Sequence, residues 1–147
     1  MQRYGKPIGL IAVVAVCIAL VVCMIQLLCP PSRNAADLSD YIQKHEHTLV
    51  ELAMDYPDQY KRLNGYLGIE AIDTREDACA AFSFPWSNDI PEGGSFLYYT
   101  ENGILENSGY SISDTTRISG LGINGQGYIH CTLLKQNWFF VEYWIPT

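Results

Sequence analysis

Apolar and polar residues are arranged in three different ways along this chain, and each arrangement implies a different element. In residues 8–28, IGLIAVVAVCIALVVCMIQLL, they do not alternate at all, and Gln26 is the one polar side chain. As a helix the run is roughly 31 Å long, enough to cross the hydrocarbon core of a bilayer. A helix buried inside a soluble domain carries polar positions once or twice per turn, and none appears between Pro7 and Gln26. A cleaved signal peptide has a shorter apolar run and a small-x-small site after it, whereas Leu28, Cys29, Pro30 and Pro31 follow here. Lipid attachment at Cys29 wants a small residue before it, and Leu28 is large. Cys29 therefore reads as a thiol at the membrane boundary, like Cys17 and Cys23 inside the run. The expectation is an uncleaved signal-anchor, a single-pass transmembrane helix.

The second arrangement follows the two prolines, which end the first helix because proline lacks the N–H donor and restricts its predecessor. Leu38, Ile42, His45, Leu49, Leu52 and Tyr56 recur every three or four residues, with Gln43, Lys44, Glu46, His47 and Glu51 between them. This spacing predicts an amphipathic helix capped by Asp37 or Ser39 and interrupted by Pro57. A further turn through Tyr60 and Leu63 precedes Asn64-Gly65.

From Tyr66 on, short runs rich in aromatic and β-branched residues predict strands near residues 66–72, 79–84, 95–101, 104–106, 128–134 and 138–145. Asn102-Gly103 has the composition of a two-residue hairpin turn, because both central positions of a type I′ turn need positive φ. Residues 107–127 are rich in Ser, Thr and Gly and read as a long loop or weak edge structure. The fold class is α+β: an N-terminal transmembrane helix, then an amphipathic helix packed on an antiparallel sheet of four to six strands. The division is a basic tail at 1–7, an anchor at 8–28, a linker at 29–36 and a soluble domain at 37–147.

The last hairpin carries the most information. With Lys135-Gln136-Asn137 as a three-residue loop, Leu134 faces Trp138, Leu133 faces Phe139, Cys131 faces Val141, His130 faces Glu142 and Tyr128 faces Trp144. Opposed residues share a face of the sheet. One face becomes Ile129, Cys131, Leu133, Phe139, Val141 and Tyr143, the natural core side. The other carries Tyr128, His130, Thr132, Trp138, Phe140, Glu142 and Trp144. Of these, Tyr128, His130, Trp138, Phe140, Glu142 and Trp144 form the candidate binding surface, since stacked aromatics can hold a sugar ring, a peptide or an apolar patch. The competing reading is that the helix at 38–56, or the loop at Phe84-Pro85-Trp86, covers them as a second core layer.

Charge narrows the partners and the compartment. From Pro30 on, the nine Lys and Arg less Arg3 and Lys6 leave seven against all sixteen acids, a formal charge of −9. Such a domain repels nucleic acid. Arg3 and Lys6 before the apolar run favour a cytoplasmic N-terminus, a single pass through the cell membrane and an extracytoplasmic domain. The expected partners are the membrane, through residues 8–28, and a protein or glycan near its surface.

Candidate chemistry is sparse. Gly120-Leu-Gly122-Ile-Asn-Gly125 matches a dinucleotide-loop pattern, but that loop must open a helix and here it leads into the strand YIHCTLL. His130 and Cys131 are neighbours on a strand and point to opposite faces, so they cannot act as a dyad. His130 and Glu142 could share acid–base work, but with no nucleophile or second acid in register a simple cross-strand ion pair is the favoured reading. His47, Glu51 and Asp55 are spaced by four on a helix that offers no further soft ligand, so a solvated face is expected and no metal. No cofactor is expected. Cys79 and Cys131 are a candidate disulfide in an oxidising compartment. The function these features favour is a non-catalytic binding or accessory module. The alternatives are a small membrane-tethered hydrolase or transferase using His130 and Glu142, and an acidic inhibitor or immunity-type protein.

Overall fold

A computed structural model describes residues 7–55, 60–75, 79–107 and 109–146, with residues 7–10, 26–28 and 75 described through their backbone alone. The first helix, α1, is Pro7–Leu28, 22 residues long. It ends where the two prolines require, and its last bond runs from the N–H of Cys29 to the carbonyl of Ile25 at 2.9 Å. Ile11, Val13, Val16, Ile18, Leu20 and Met24 stand 58–67% exposed. Among the described residues, no helix is long and apolar enough to cross a membrane. Side chains of α1 are described over residues 11–25, fewer than the roughly 17 residues a span takes. The transmembrane helix expected at residues 8–28 is therefore not found on that criterion, although the backbone is helical through the whole run.

The second helix, α2, is Ala35–Met54, and its cap is Asn34 rather than Asp37 or Ser39. The Asn34 side chain accepts the N–H of Asp37 at 2.8 Å, while the Ser32 hydroxyl donates to the Asp37 carboxylate. An Asn side chain reaching the third N–H of the helix satisfies one of the donors left over at its start. Leu38, Ile42 and Leu49 of the predicted stripe are buried and His45 and Leu52 half-buried, and Tyr41, which the spacing did not single out, is buried with them. Tyr56 and Pro57 lie outside the described residues.

Among the described residues nine strands follow: β1 (Tyr60–Arg62), β2 (Ala71–Arg75), β3 (Cys79–Ser83), β4 (Gly93–Thr100), β5 (Leu105–Asn107), β6 (Tyr110–Ile112), β7 (Thr116–Leu121), β8 (Gly127–Lys135) and β9 (Trp138–Trp144). Seven of them form one sheet, in the order β1-β2-β3-β4-β9-β8-β7, with every neighbouring pair antiparallel. The architecture is α+β as expected, with seven strands instead of four to six. Five of the six predicted runs lie in this sheet, and its two edges come from elsewhere: Tyr60–Arg62, expected to be a helical turn, pairs with β2, and Thr116–Leu121 emerges from the Ser/Thr/Gly-rich stretch to pair with β8. Residues 66–72 are not one strand, because Tyr66–Gly68 is a tight turn in which Leu67 and Gly68 have φ of 54° and 76°.

Asn102-Gly103 does make a turn, with the Asn102 side chain accepting the N–H of Ile104 at 2.9 Å. It does not close the expected hairpin. β4 already has β3 and β9 on its two sides, so the turn carries the chain off the sheet, where β5 pairs with β6 alone. That small hairpin covers the face opposite α2. The sheet therefore has two cores: Phe82, Leu97, Trp138 and Phe140 beneath α2, and Ile129, Cys131, Phe139 and Val141 beneath Leu105 and Ile112 of the small hairpin.

Candidate functional site

The register expected for the last hairpin holds from Tyr128↔Trp144 through His130↔Glu142 to Leu133↔Phe139. It departs at the turn, where Lys135, not Leu134, faces Trp138 and the strand bulges. Asn137 takes φ 72°, which shortens the loop by one residue on that side. The two faces sort as expected, but the six-residue aromatic surface does not survive as one open patch. Trp138 is 1% and Phe140 4% exposed. Trp138 sits against Tyr99 and Phe82, with ring centroids at 4.9 and 5.9 Å, and Trp86 meets Phe140 edge-on at 6.2 Å. Helix α2 and the Phe84-Pro85-Trp86 loop have become the second core layer, and Trp138 and Phe140 belong to it.

The other four members, Tyr128, His130, Glu142 and Trp144, are half-buried toward one end of the strands. His130 Nδ1 stands 3.9 Å from Glu142 Oε2, beyond hydrogen-bond length. The second oxygen of Glu142 accepts from the Arg33 guanidinium at 3.3 Å. Arg33 precedes α2, more than a hundred residues away in sequence, and alternation within the hairpin gives no sign of it. Arg117 of β7 lies 4.5 Å from the centre of the Tyr128 ring, and Tyr128 and Trp144 are 6.5 Å apart. This is a partly solvated charge cluster that ties the linker to the sheet, a different arrangement from a positioned acid–base pair.

Cys79 and Cys131 are both buried, and no disulfide joins them. They lie on the same face but on β3 and β8, with β4 and β9 between them. Three strand spacings separate them by about 14 Å, and a disulfide needs its Cα atoms within about 7 Å. The candidate disulfide is thereby corrected. Burial pushes the Cys131 thiol up to about 11, which keeps it protonated and inert as a nucleophile.

The remaining motifs take ordinary structural places. Gly120, with φ 85°, lies in β7 where its register shifts, and Gly122 and Gly125, with φ of 79° and 64°, lie in the turn to β8, where no helix opens. His47 and Glu51 pair along α2 at 3.3 Å, both in solvent. Among the described residues no three His, Cys, Asp or Glu side chains gather as a metal site.

An open aromatic surface exists, but elsewhere. On the face opposite α2 the core beneath the small hairpin spans β9, β8 and β7 and reaches Cys79 and Tyr98, and beyond it lies a cleft of about 240 Å³ lined by Tyr60, Asp73, Ala81, Ser83, Phe96, Tyr98 and Tyr143. Registers of β1 to β4 align Tyr60, Asp73, Ala81 and Tyr98 in one row across the sheet. Small Ala81 forms the floor between larger walls. Phe96 and Tyr143 stack at 6.0 Å with their planes 8° apart, and Tyr98 meets Phe96 edge-on at 6.4 Å. Tyr60 rises at the rim, 65% exposed. In the sequence these residues look like separate core positions of separate strands. The one available signal was that Phe96, Tyr98 and Tyr143 alternate with equally apolar Leu97 and Phe140, so one of the two faces had surplus aromatic surface.

The chain matches no family model, no curated protein sequence and no solved structure. The class supported by fold and site together is an α+β domain with a two-sided antiparallel sheet and an aromatic cleft on the less covered face.

Proposed function

We propose that this chain is a single-pass, membrane-anchored binding module whose extracytoplasmic domain holds a sugar ring of a glycan in the cleft of Tyr60, Phe96, Tyr98 and Tyr143. The observation that carries the reading is the pairing of flat aromatic faces with polar groups in one concavity. The C–H face of a pyranose packs on aromatic rings, while its hydroxyls need partners of the kind Asp73, Ser83 and the tyrosine hydroxyls supply. A formal charge of −9 beyond the anchor does not oppose a neutral glycan. The anchor reading is supported by the 22 helical residues of α1, about 33 Å of helix, and by aliphatic side chains that stand in the open all round it.

Ligand-observed saturation-transfer NMR on the full chain in detergent micelles, against a panel of neutral mono- and oligosaccharides, tests the site. A binder should be found whose affinity falls about three- to tenfold in each of Tyr60→Ala and Tyr98→Ala, the loss of one aromatic contact of about 0.5–1.5 kcal/mol. Absence of any saturation transfer across the panel, or a binder indifferent to both variants, rejects the assignment.

A further inference from the structure

We infer that the end of the sheet from which α1 departs rests on the bilayer surface, with Ile123 at the tip of the glycine turn inserted among the lipid headgroups. The inference rests on the anchor reading and adds which surface of the domain the membrane covers.

Strand registers define that end. Gly93, Trp144 and Tyr128 pair across β4, β9 and β8, Leu121 pairs with Gly127, and Ala71 with Ser83. The turns beyond these residues therefore emerge together: Tyr66–Gly68 before β2, the Phe84 to Glu92 connection, the Gly122 to Gly125 turn, and Ile145-Pro146 after β9. The chain leaving α1 arrives at the same end. Pro30 lies against Gly68 so closely that a Cβ on Gly68 would fall 2.4 Å from the proline Cα. The carbonyl of Pro31 accepts from Trp86 Nε1 at 2.8 Å.

An apolar and aromatic set projects there, beside exposed Asn88, Asn124 and Gln126. Ile123 is 84% exposed and Tyr66 52%, while Trp86, Leu121, Trp144 and Ile145 are half-buried around them. Trp and Tyr rings with an aliphatic wedge are the composition of a membrane interface, where one side of each group meets lipid and the other water. Positive φ at Gly122 and Gly125 presents Ile123 on a turn that residues with a Cβ would strain. At the opposite end Glu101, Asn102, Lys135 and Gln136 at the turns are exposed and polar, with Ile104, 40% exposed, beside them and no Trp or Tyr ring at these turns. Glu70, Asp89 and Glu92 share the proximal end with Arg33, so the contact depends on apolar insertion and needs no anionic lipid.

The test is photo-crosslinking of the full chain in phosphatidylcholine nanodiscs, with p-benzoylphenylalanine replacing Ile123, Tyr66, Ile18 or Gln136 one at a time and lipid adducts read by mass. Ile123 and Tyr66 are exposed, so both replacements leave the fold intact, and far-ultraviolet circular dichroism checks it. Adducts at 123, 66 and 18, with none at 136, are the expected result. Lipid adducts at 18 but none at 123 and 66 overturn the inference and leave the anchor standing. Absence of adducts at 18 as well overturns both. Equal yields at 123 and 136, or capture of protein instead of lipid at 123, also overturn it.

Discussion

Replacing Gly68 by alanine measures how firmly the segment leaving α1 is seated on the domain. Gly68 has φ 76°, and an added Cβ would lie 2.4 Å from Pro30 Cα, 2.5 Å from Pro30 N and 2.8 Å from the Cys29 carbonyl carbon. These are backbone atoms, which cannot swing aside as a side-chain tip can. Two costs therefore add. A residue with a Cβ at positive φ costs about 1–2 kcal/mol, and overpacking a closed contact costs about 1–3 kcal/mol, together roughly 2–5 kcal/mol. Gly65 separates the two, because it has φ 81° with nothing within 4 Å of its missing Cβ. Gly65→Ala therefore carries the first cost alone. Thermal unfolding of the full chain in detergent micelles, followed by near-ultraviolet circular dichroism, gives both numbers, at about 3–5 °C per kcal/mol for a domain of this size. Gly68→Ala should lose about 1–3 kcal/mol more than Gly65→Ala and shift the emission of Trp86 as its bond to Pro31 breaks. Equal losses in the two variants would refute the reasoning, because the exit segment would then have no fixed seat.

Trp138→Ala should destabilise the domain by about 3–5 kcal/mol in urea, since Trp138 is buried between Phe82 and Tyr99; a variant of unchanged stability would mean that α2 does not cover it. Tyr41 donates its hydroxyl to the Leu67 carbonyl at 2.9 Å, and burial raises its pKa above the ordinary 10. The folded chain therefore keeps this proton to higher pH than the unfolded chain, so Tyr41's contribution to stability is level below pH 10 and is lost as pH rises beyond it. Tyr41→Phe should flatten that part of the alkaline fall and cost about 1–3 kcal/mol for the unpaired carbonyl, both read from urea midpoints across pH. Cys131, with its thiol pushed up to about 11, should resist maleimide at pH 8 in the native chain and react on unfolding, as intact mass shows.

Local pattern made some of this structure legible and topology concealed the rest. The β8–β9 register followed from alternation, because a slip of one residue would have turned Phe139 and Val141 away from Ile129, Cys131 and Leu133 to the opposite face. Its error is confined to Leu134, where Asn137 at positive φ tightens the turn. Asn102-Gly103 marked a turn correctly, yet a turn signal says nothing about whether the flanking strands find each other or other partners. The decisive omission was the second core. The β5–β6 hairpin that builds it buries only Leu105 and Ile112 from a stretch otherwise rich in Ser, Gly and Asn, too few apolar positions to register as a covering layer. Without it the sheet had one buried face and one open one, and Trp138 and Phe140 fell on the open one. Asp73, Phe96 and Tyr143 come together only because β1 to β4 and β9 lie side by side, an adjacency with no local signature.

The small hairpin also sets how the molecule fluctuates. Its hold on the sheet is Leu105 and Ile112, both buried, at about 1.5–3 kcal/mol each. Because β5 pairs only with β6, the flap can lift without breaking any backbone bond of the seven-stranded sheet. Roughly one molecule in 10² to 10⁴ then has it raised at any instant, a sub-global opening well below the cost of unfolding. Amide exchange of β5 and β6 with deuterated water should accordingly outpace that of β4 and β9 by orders of magnitude. During those openings Phe139, Val141 and the Cys131 thiol meet solvent, so the slow native chemistry of that thiol is a clock for the flap.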